Sequence, residues 1–240
     1  MKAASRGGLY GANSCAANRG GRSSNLSMTL RRTLSLSCSA VLVTLLVAGT
    51  GFAQRGGSRV ATDEIFAALG LREGLAVCEM GAGDGELTLA AARIVGPRGR
   101  VYTSELGAER LRALRERVAE SALAHVTVVD GGPQETNFPT GACDALFMRN
   151  VYHHFADPAA MNVSIAASLR PGGRLAVVDF APPDDEAPVP GDRDEDGTHG
   201  VRPETLAREL QQAGFVHVST AQAEDRWYMV VATYPLTIDD

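Results

Sequence analysis

Residues 79 to 85 read Glu79-Met80-Gly81-Ala82-Gly83-Asp84-Gly85, an acid followed by glycine at every second position. Glycines at this spacing remove side chains, so a ligand can lie directly on peptide groups. An apolar run, Leu75–Met80, precedes the loop, and a small-residue helical pattern, Leu87–Val95, follows it. Strand, glycine turn and helix together aim free N–H groups and the helix dipole at a bound anion. A dinucleotide fingerprint, GxGxxG, would need a third glycine at position 86, which is Glu86. The spacing here is GxGxG, and Glu79 stands two positions ahead of it. Such a loop suits a ligand that offers both a cation and a carboxylate better than one that offers a pyrophosphate.

Two more acids end later apolar runs. Tyr102-Thr103-Ser104-Glu105 closes the second, and Asp130-Gly131 the third. A carboxylate at a strand end can accept two hydroxyl protons at once, as a ribose would supply. S-adenosylmethionine carries an ammonium, a carboxylate, a sulfonium and a ribose, and it fits this ordered set. The sequence resembles the class I S-adenosylmethionine-dependent methyltransferases, in particular the small-molecule "type 11" group, through most of residues 61–234. Glu79–Gly85 resembles that family's first motif. Cys143-Asp144-Ala145-Leu146-Phe147-Met148-Arg149-Asn150 resembles its fourth strand, and Leu169-Arg170-Pro171-Gly172-Gly173-Arg174-Leu175 its turn into strand five. The resemblance implies S-adenosyl-L-methionine as cofactor, held by Glu79, Gly81, Ala82, Gly83, Gly85, Glu105, Asp130, Gly131 and Asn150. It assigns Glu105 to the ribose hydroxyls and Asp130-Gly131 to the adenine.

Asn150-Val151-Tyr152-His153-His154-Phe155 follows the fourth apolar run and should lie at the reactive end of the cofactor. His153 or His154 could take a proton from a methyl acceptor. Displacement at a sulfonium methyl can also proceed by positioning alone. Tyr152, Asp179 and His199 are further candidates on the substrate side. The segment from Pro182 to Gly200, dense in Asp, Glu, Pro and Gly, reads as a lid or a solvated connector. Asp192-x-Asp194-x-Asp196-Gly197 imitates the start of a calcium loop, but its twelfth position is Pro203 in place of glutamate, so no calcium is expected. With no CxxC and no metal-ligand spacing of Cys and His, no metal is expected either.

From Thr62 onward the patterns alternate between helix and strand, the signature of an α/β domain with a parallel sheet. Helices are expected from a Thr62 cap to Gly70, over 87–95, over Ala108–Ser121, over Asp157–Leu169 and over Pro203–Ala213. Strands are expected over Leu75–Met80, Arg100–Glu105, Val126–Asp130, Ala142–Met148, Arg174–Phe180, Phe215–Ala221 and Trp227–Tyr234, the last two as a hairpin. The expected fold is a Rossmann-like, doubly wound, seven-stranded sheet, mostly parallel with an antiparallel last strand.

The 240 residues fit this one domain plus a leader. Residues 1–27, rich in Gly, Ser, Asn and Ala, should be disordered or untranslated. Residues 28–53 combine Arg31-Arg32, an apolar stretch from Ala40 to Ala48 and a small-residue ending, the parts of an export signal peptide. Cleavage and export are expected; the alternative is a membrane anchor through residues 34–52. A net charge of -5 gives no basic footprint for nucleic acid, so a small-molecule methyl acceptor is the expected partner. Cys78 and Cys143 each fall in an apolar run and are expected as small buried hydrophobes, not as a disulfide. Export conflicts with a cofactor made in the cytoplasm. That keeps open a second function, an exported non-catalytic binding or accessory protein on the methyltransferase fold. An oxidoreductase is third.

Overall fold

A computed structural model describes residues 60–236, so the expected leader and the four C-terminal residues lie outside the described part. The strands are β1 (Ala76–Met80), β2 (Arg100–Glu105), β3 (Val126–Asp130), β4 (Cys143–Arg149), β5 (Leu169–Phe180), β6 (Val216–Gln222) and β7 (Trp227–Thr233). The helices are α1 (Thr62–Leu69), α2 (Glu86–Val95), α3 (Ala108–Glu120), α4 (Pro158–Ser168) and α5 (Pro203–Gln212). One sheet runs in the order β3-β2-β1-β4-β5-β7-β6. β1 to β5 pair in parallel, and β7 lies antiparallel between β5 and β6. The seven-stranded, mostly parallel sheet with an antiparallel last strand is as expected.

Position in the sheet explains the residue patterns. β1 and β4 are central and covered on both faces, and β1 is buried at every residue. Its sequence therefore reads as a continuous apolar run, as doubly covered parallel strands do. β6 is an edge strand and mostly exposed, with Ser, Thr and Gln on it. Two cores form, one on each face: Met80, Leu146, Met148, Ile165 and Leu206 on one side, Val77, Leu87, Phe147 and Val178 on the other. Each such side chain contributes about 1.5–3 kcal/mol on burial.

Three expectations change. Ala61, not Thr62, occupies the cap position of α1, and the Glu64 carboxylate accepts its N–H at 3.2 Å. β5 begins at Leu169, before the Pro171-Gly172-Gly173 turn, because that segment pairs on both sides. Leu169 lies opposite Cys143, while the Gly172 N–H donates to the Tyr234 carbonyl at 2.9 Å and the Tyr234 N–H to the Gly173 carbonyl at 2.8 Å. Cys78 and Cys143 form a disulfide, with Cα atoms 5.8 Å apart, in place of two free thiols. The register of β4 against β5 shifts between Cys143 and Ala145, which turns Cys143 onto the face that Cys78 occupies on the adjacent strand.

Candidate functional site

Strand order reverses between β1 and β4: β2 and β3 lie beyond one, β5 beyond the other. Loops leaving the carboxyl ends of such a pair diverge and open a crevice. Here the crevice is a cleft of about 730 Å³, the size of a site for a small molecule or cofactor. Its floor is the loop from Glu79 to Asp84; Glu105, Gly131, Arg149, Asn150 and His154 stand around it.

Gly81 is fixed by geometry. Its φ is +67°, and a Cβ there would lie 2.3 Å from Cγ2 of Val151, so the first loop and the β4 loop touch at a point where only glycine fits. The Ala82 N–H donates to the Ser104 carbonyl at 3.0 Å, and the Gly83 N–H to Oε2 of Glu105 at 2.8 Å. The Leu106 N–H donates to the other Glu105 oxygen at 2.9 Å. Glu105, only 7% exposed, thus ties the β2 end to the glycine loop. Each carboxylate oxygen retains further acceptor capacity, and Oε1 also faces the Arg110 guanidinium at 3.6 Å.

Glu79 is buried beneath the loop and accepts a hydrogen bond from the Thr88 hydroxyl, which also contacts Thr103 at 2.8 Å. Burial drives its carboxyl pKa up from 4.5 to about 8; the Thr88 bond and the Arg149 guanidinium pull the other way and only partly offset it. A cation in the cleft would tip it toward the ionised form.

The other sequence candidates divide. Gly85 caps α2 and donates its N–H to Ala82 at 2.8 Å, shaping the loop from behind the cleft wall. Asp130 turns outward and pairs with Arg115, leaving Gly131 at the cleft. Tyr152 points away from the cleft: fully buried, it donates to Oε2 of Glu209 at 2.9 Å and accepts from Asn162 at 2.8 Å. Its burial, with Glu209 beside it, raises the phenol's pKa well above 10, so it stays protonated. Tyr152 therefore tethers the β4 loop to α5, and Arg193 completes the tie by gripping Glu209 at 2.6 Å.

The histidines also separate. His154 is half-exposed and borders the cleft, with Nδ1 2.7 Å from the Asp194 carboxylate. His153 is buried behind it. Its Nδ1 lies 2.8 Å from Oδ1 of the fully buried Asp179, which also accepts the His153 N–H at 3.2 Å. Nε2 of His153 faces Nε2 of His199 at 3.1 Å. The segment 182–200 is anchored in place: the Val201 N–H donates to the Phe180 carbonyl and the Gly200 N–H to the Arg193 carbonyl, both at 3.0 Å.

Sequence reasoning missed Asp194, Arg149 and Trp227 as cleft residues. Arg149 carried a signal, since it ends a central strand as Glu105 does. Asp194 was singled out only within the calcium-like Asp192–Gly197 pattern, which says nothing of a place at the cleft.

The sequence pattern of a family described as a methyltransferase domain matches residues 53–220. The chain belongs to this methyltransferase family. It is of the S-adenosylmethionine-dependent class. Curated relatives of the methyltransferase include the ubiquinone/menaquinone biosynthesis C-methyltransferase UbiE of Marinomonas sp., 28% identical over 118 residues, 49% of this chain and 47% of that protein. The UbiE of Stutzerimonas stutzeri is 34% identical over 119 residues, 48% of this chain and 45% of that protein. The methyltransferase thus spans about half the length of the curated relatives it matches. A solved SAM-dependent methyltransferase from Aquifex aeolicus superposes with a TM-score of 0.61 at 21% identity, covering 72% of this chain and 89% of that one, and shares the fold.

Proposed function

We propose that this methyltransferase moves the methyl group of S-adenosylmethionine to a small or medium-sized acceptor bound at the β4 end of the cleft. The observation that carries the reading is the cleft itself: Glu79, the glycine loop, Glu105 and Gly131 all open onto one space. Glu79 meets the ammonium, the start of α2 and Arg149 meet the carboxylate, Glu105 takes the ribose hydroxyls, and Gly131 lies along the adenine. The sulfonium methyl then faces Asn150 and His154. The acceptor's lone pair forms the new bond to the methyl carbon as the carbon–sulfur bond breaks. S-adenosylhomocysteine leaves as a neutral thioether, and any acceptor proton passes to His154 or to water. Holding the reactants in line supplies most of the acceleration. His153 does not reach the acceptor; it positions the wall behind His154.

Export through residues 28–53 is part of the proposal. A disulfide between β1 and β4 supports it, because such bonds persist in oxidising compartments. The same disulfide favours the second reading, an exported binding protein that keeps the fold without turnover. Calorimetry with S-adenosylmethionine, followed by mass detection of S-adenosylhomocysteine with a panel of acceptors, separates the two. No binding would overturn methyl transfer. Binding with no turnover on any acceptor would favour the binding protein.

A further inference from the structure

Three of the chain's five histidines come together beside the cleft, from two separate stretches of sequence. His153 and His154 sit in a 3-10 turn after β4, and His199 and Asp194 come from the segment before α5. We propose that His153, His154, His199 and Asp194 form a binding site for a divalent transition ion of the zinc class.

The donor atoms converge. Nε2 of His153 is 3.1 Å from Nε2 of His199 and 3.9 Å from Oδ1 of Asp194. Nε2 of His199 is 3.6 Å from the same oxygen, and Nδ1 of His154 is 2.7 Å from it. One ligand atom from each of His153, His154 and Asp194 fits within 4.8 Å of the others. An ion with bonds of about 2.0–2.1 Å in tetrahedral geometry holds its ligands about 3.3 Å apart. The observed spacings bracket that value; His199 joins the set through His153 and Asp194, and turning its ring toward His154 completes the site.

The surroundings suit an imidazole ligand. Asp179, fully buried, fixes His153 with its Nδ1 proton directed at the carboxylate, which leaves the Nε2 lone pair facing His199 and Asp194. Metal-bound histidines commonly have a carboxylate behind them in this way, and the partner raises their basicity. The Phe180 ring packs edge-on against His199, with centroids 5.0 Å apart at 89°, and also flanks His153 at 4.8 Å. Imidazole with carboxylate selects zinc, copper, nickel or iron over calcium or magnesium.

His154 and Asp194 border the cleft, so the ion would lie at the acceptor's end of it. Its use in methyl transfer rests on the function proposed above; the site itself does not. Chelator-stripped full-length protein titrated with Zn²⁺ should bind about one ion per chain. His199→Ala and Asp194→Asn should each weaken that binding by roughly 10-fold or more, and Asp179→Asn, acting through His153, by roughly 10–100-fold. Co²⁺ should give the intense visible absorption of a four-coordinate ion in the wild type and lose it in the variants. Unchanged far- and near-ultraviolet circular dichroism of the metal-free proteins would show that His199→Ala and Asp194→Asn are folded. A zinc-induced rise in melting temperature, reversed by chelator and seen in the wild type alone, is the second readout. Zinc binding equal in wild type and His199→Ala/Asp194→Asn, or no binding at all, would overturn the site. Zinc binding without S-adenosylmethionine binding would overturn the methyl-transfer reading instead.

Discussion

Glu79→Gln should pull stability and cofactor affinity in opposite directions. The Glu79 carboxyl, 4% exposed, has its pKa raised by burial from 4.5 to about 8. An acid whose pKa is raised on folding favours the fold only while protonated. That contribution is complete below the unfolded value of about 4.5 and is lost as pH climbs through about 8. At 1.36 kcal/mol per pH unit, ionising Glu79 costs the folded chain up to about 5 kcal/mol by pH 9. Glutamine keeps the size and an oxygen for the Thr88 hydroxyl but carries no charge. At pH 9 the variant should therefore be more stable than the wild type by about 2–5 kcal/mol, or roughly 5–15 °C in melting temperature. At pH 4.5 the two should agree within about 1 kcal/mol. The cofactor reverses the preference, because its ammonium favours the ionised carboxylate. Binding of S-adenosylhomocysteine, which keeps that ammonium, should strengthen in the wild type as pH rises to about 8 and release a proton below it. In Glu79→Gln the affinity should be weaker and flat with pH. Differential scanning fluorimetry and calorimetry in buffers of different ionisation heat read both effects. A variant that melts lower at pH 9, or binds as the wild type does at every pH, would refute the assignment.

Gly81→Ala places a Cβ 2.3 Å from Val151 at a φ of +67°, and it should cost about 2–4 kcal/mol in denaturant unfolding and abolish cofactor binding in calorimetry. Tyr152→Phe removes the hydroxyl that joins Asn162 and Glu209; it should cost about 1–3 kcal/mol yet leave cofactor affinity within about twofold, whereas a tyrosine on the substrate side would alter turnover alone. Reducing Cys78–Cys143, which closes a separation of 65 residues, should lower stability by roughly 4 kcal/mol, read as a drop in urea midpoint with reductant that a Cys78→Ala/Cys143→Ala variant does not show.

What was legible in the sequence is what periodicity and backbone demands determine. β1 and β4 read as strands because both faces are covered, and Gly81 reads as a site because no Cβ fits there. Glu105 was legible because chain order alone puts it at a strand's carboxyl end, beside the loop it bonds. Side-chain direction was not legible. Tyr152, His153 and His154 are consecutive, yet one points to Glu209, one to Asp179 and one to the cleft. A 3-10 turn rotates successive residues by about 120°, so adjacency in sequence guarantees divergence in space. Long-range convergence was hidden for the complementary reason. The disulfide depends on a register shift in β4, and the histidine cluster on a segment between residues 180 and 200 that brings Asp194 to the cleft and His199 to His153. That segment is held by the Phe180 carbonyl and by the grip of Arg193 on Glu209, and the same Glu209 accepts from Tyr152. Tyr152 thus fixes both ends of the histidine cluster without touching the cleft: the turn that carries His153 and His154, and, through Glu209, the segment that carries Asp194 and His199. A residue read as contacting substrate instead sets the distance between the groups that would.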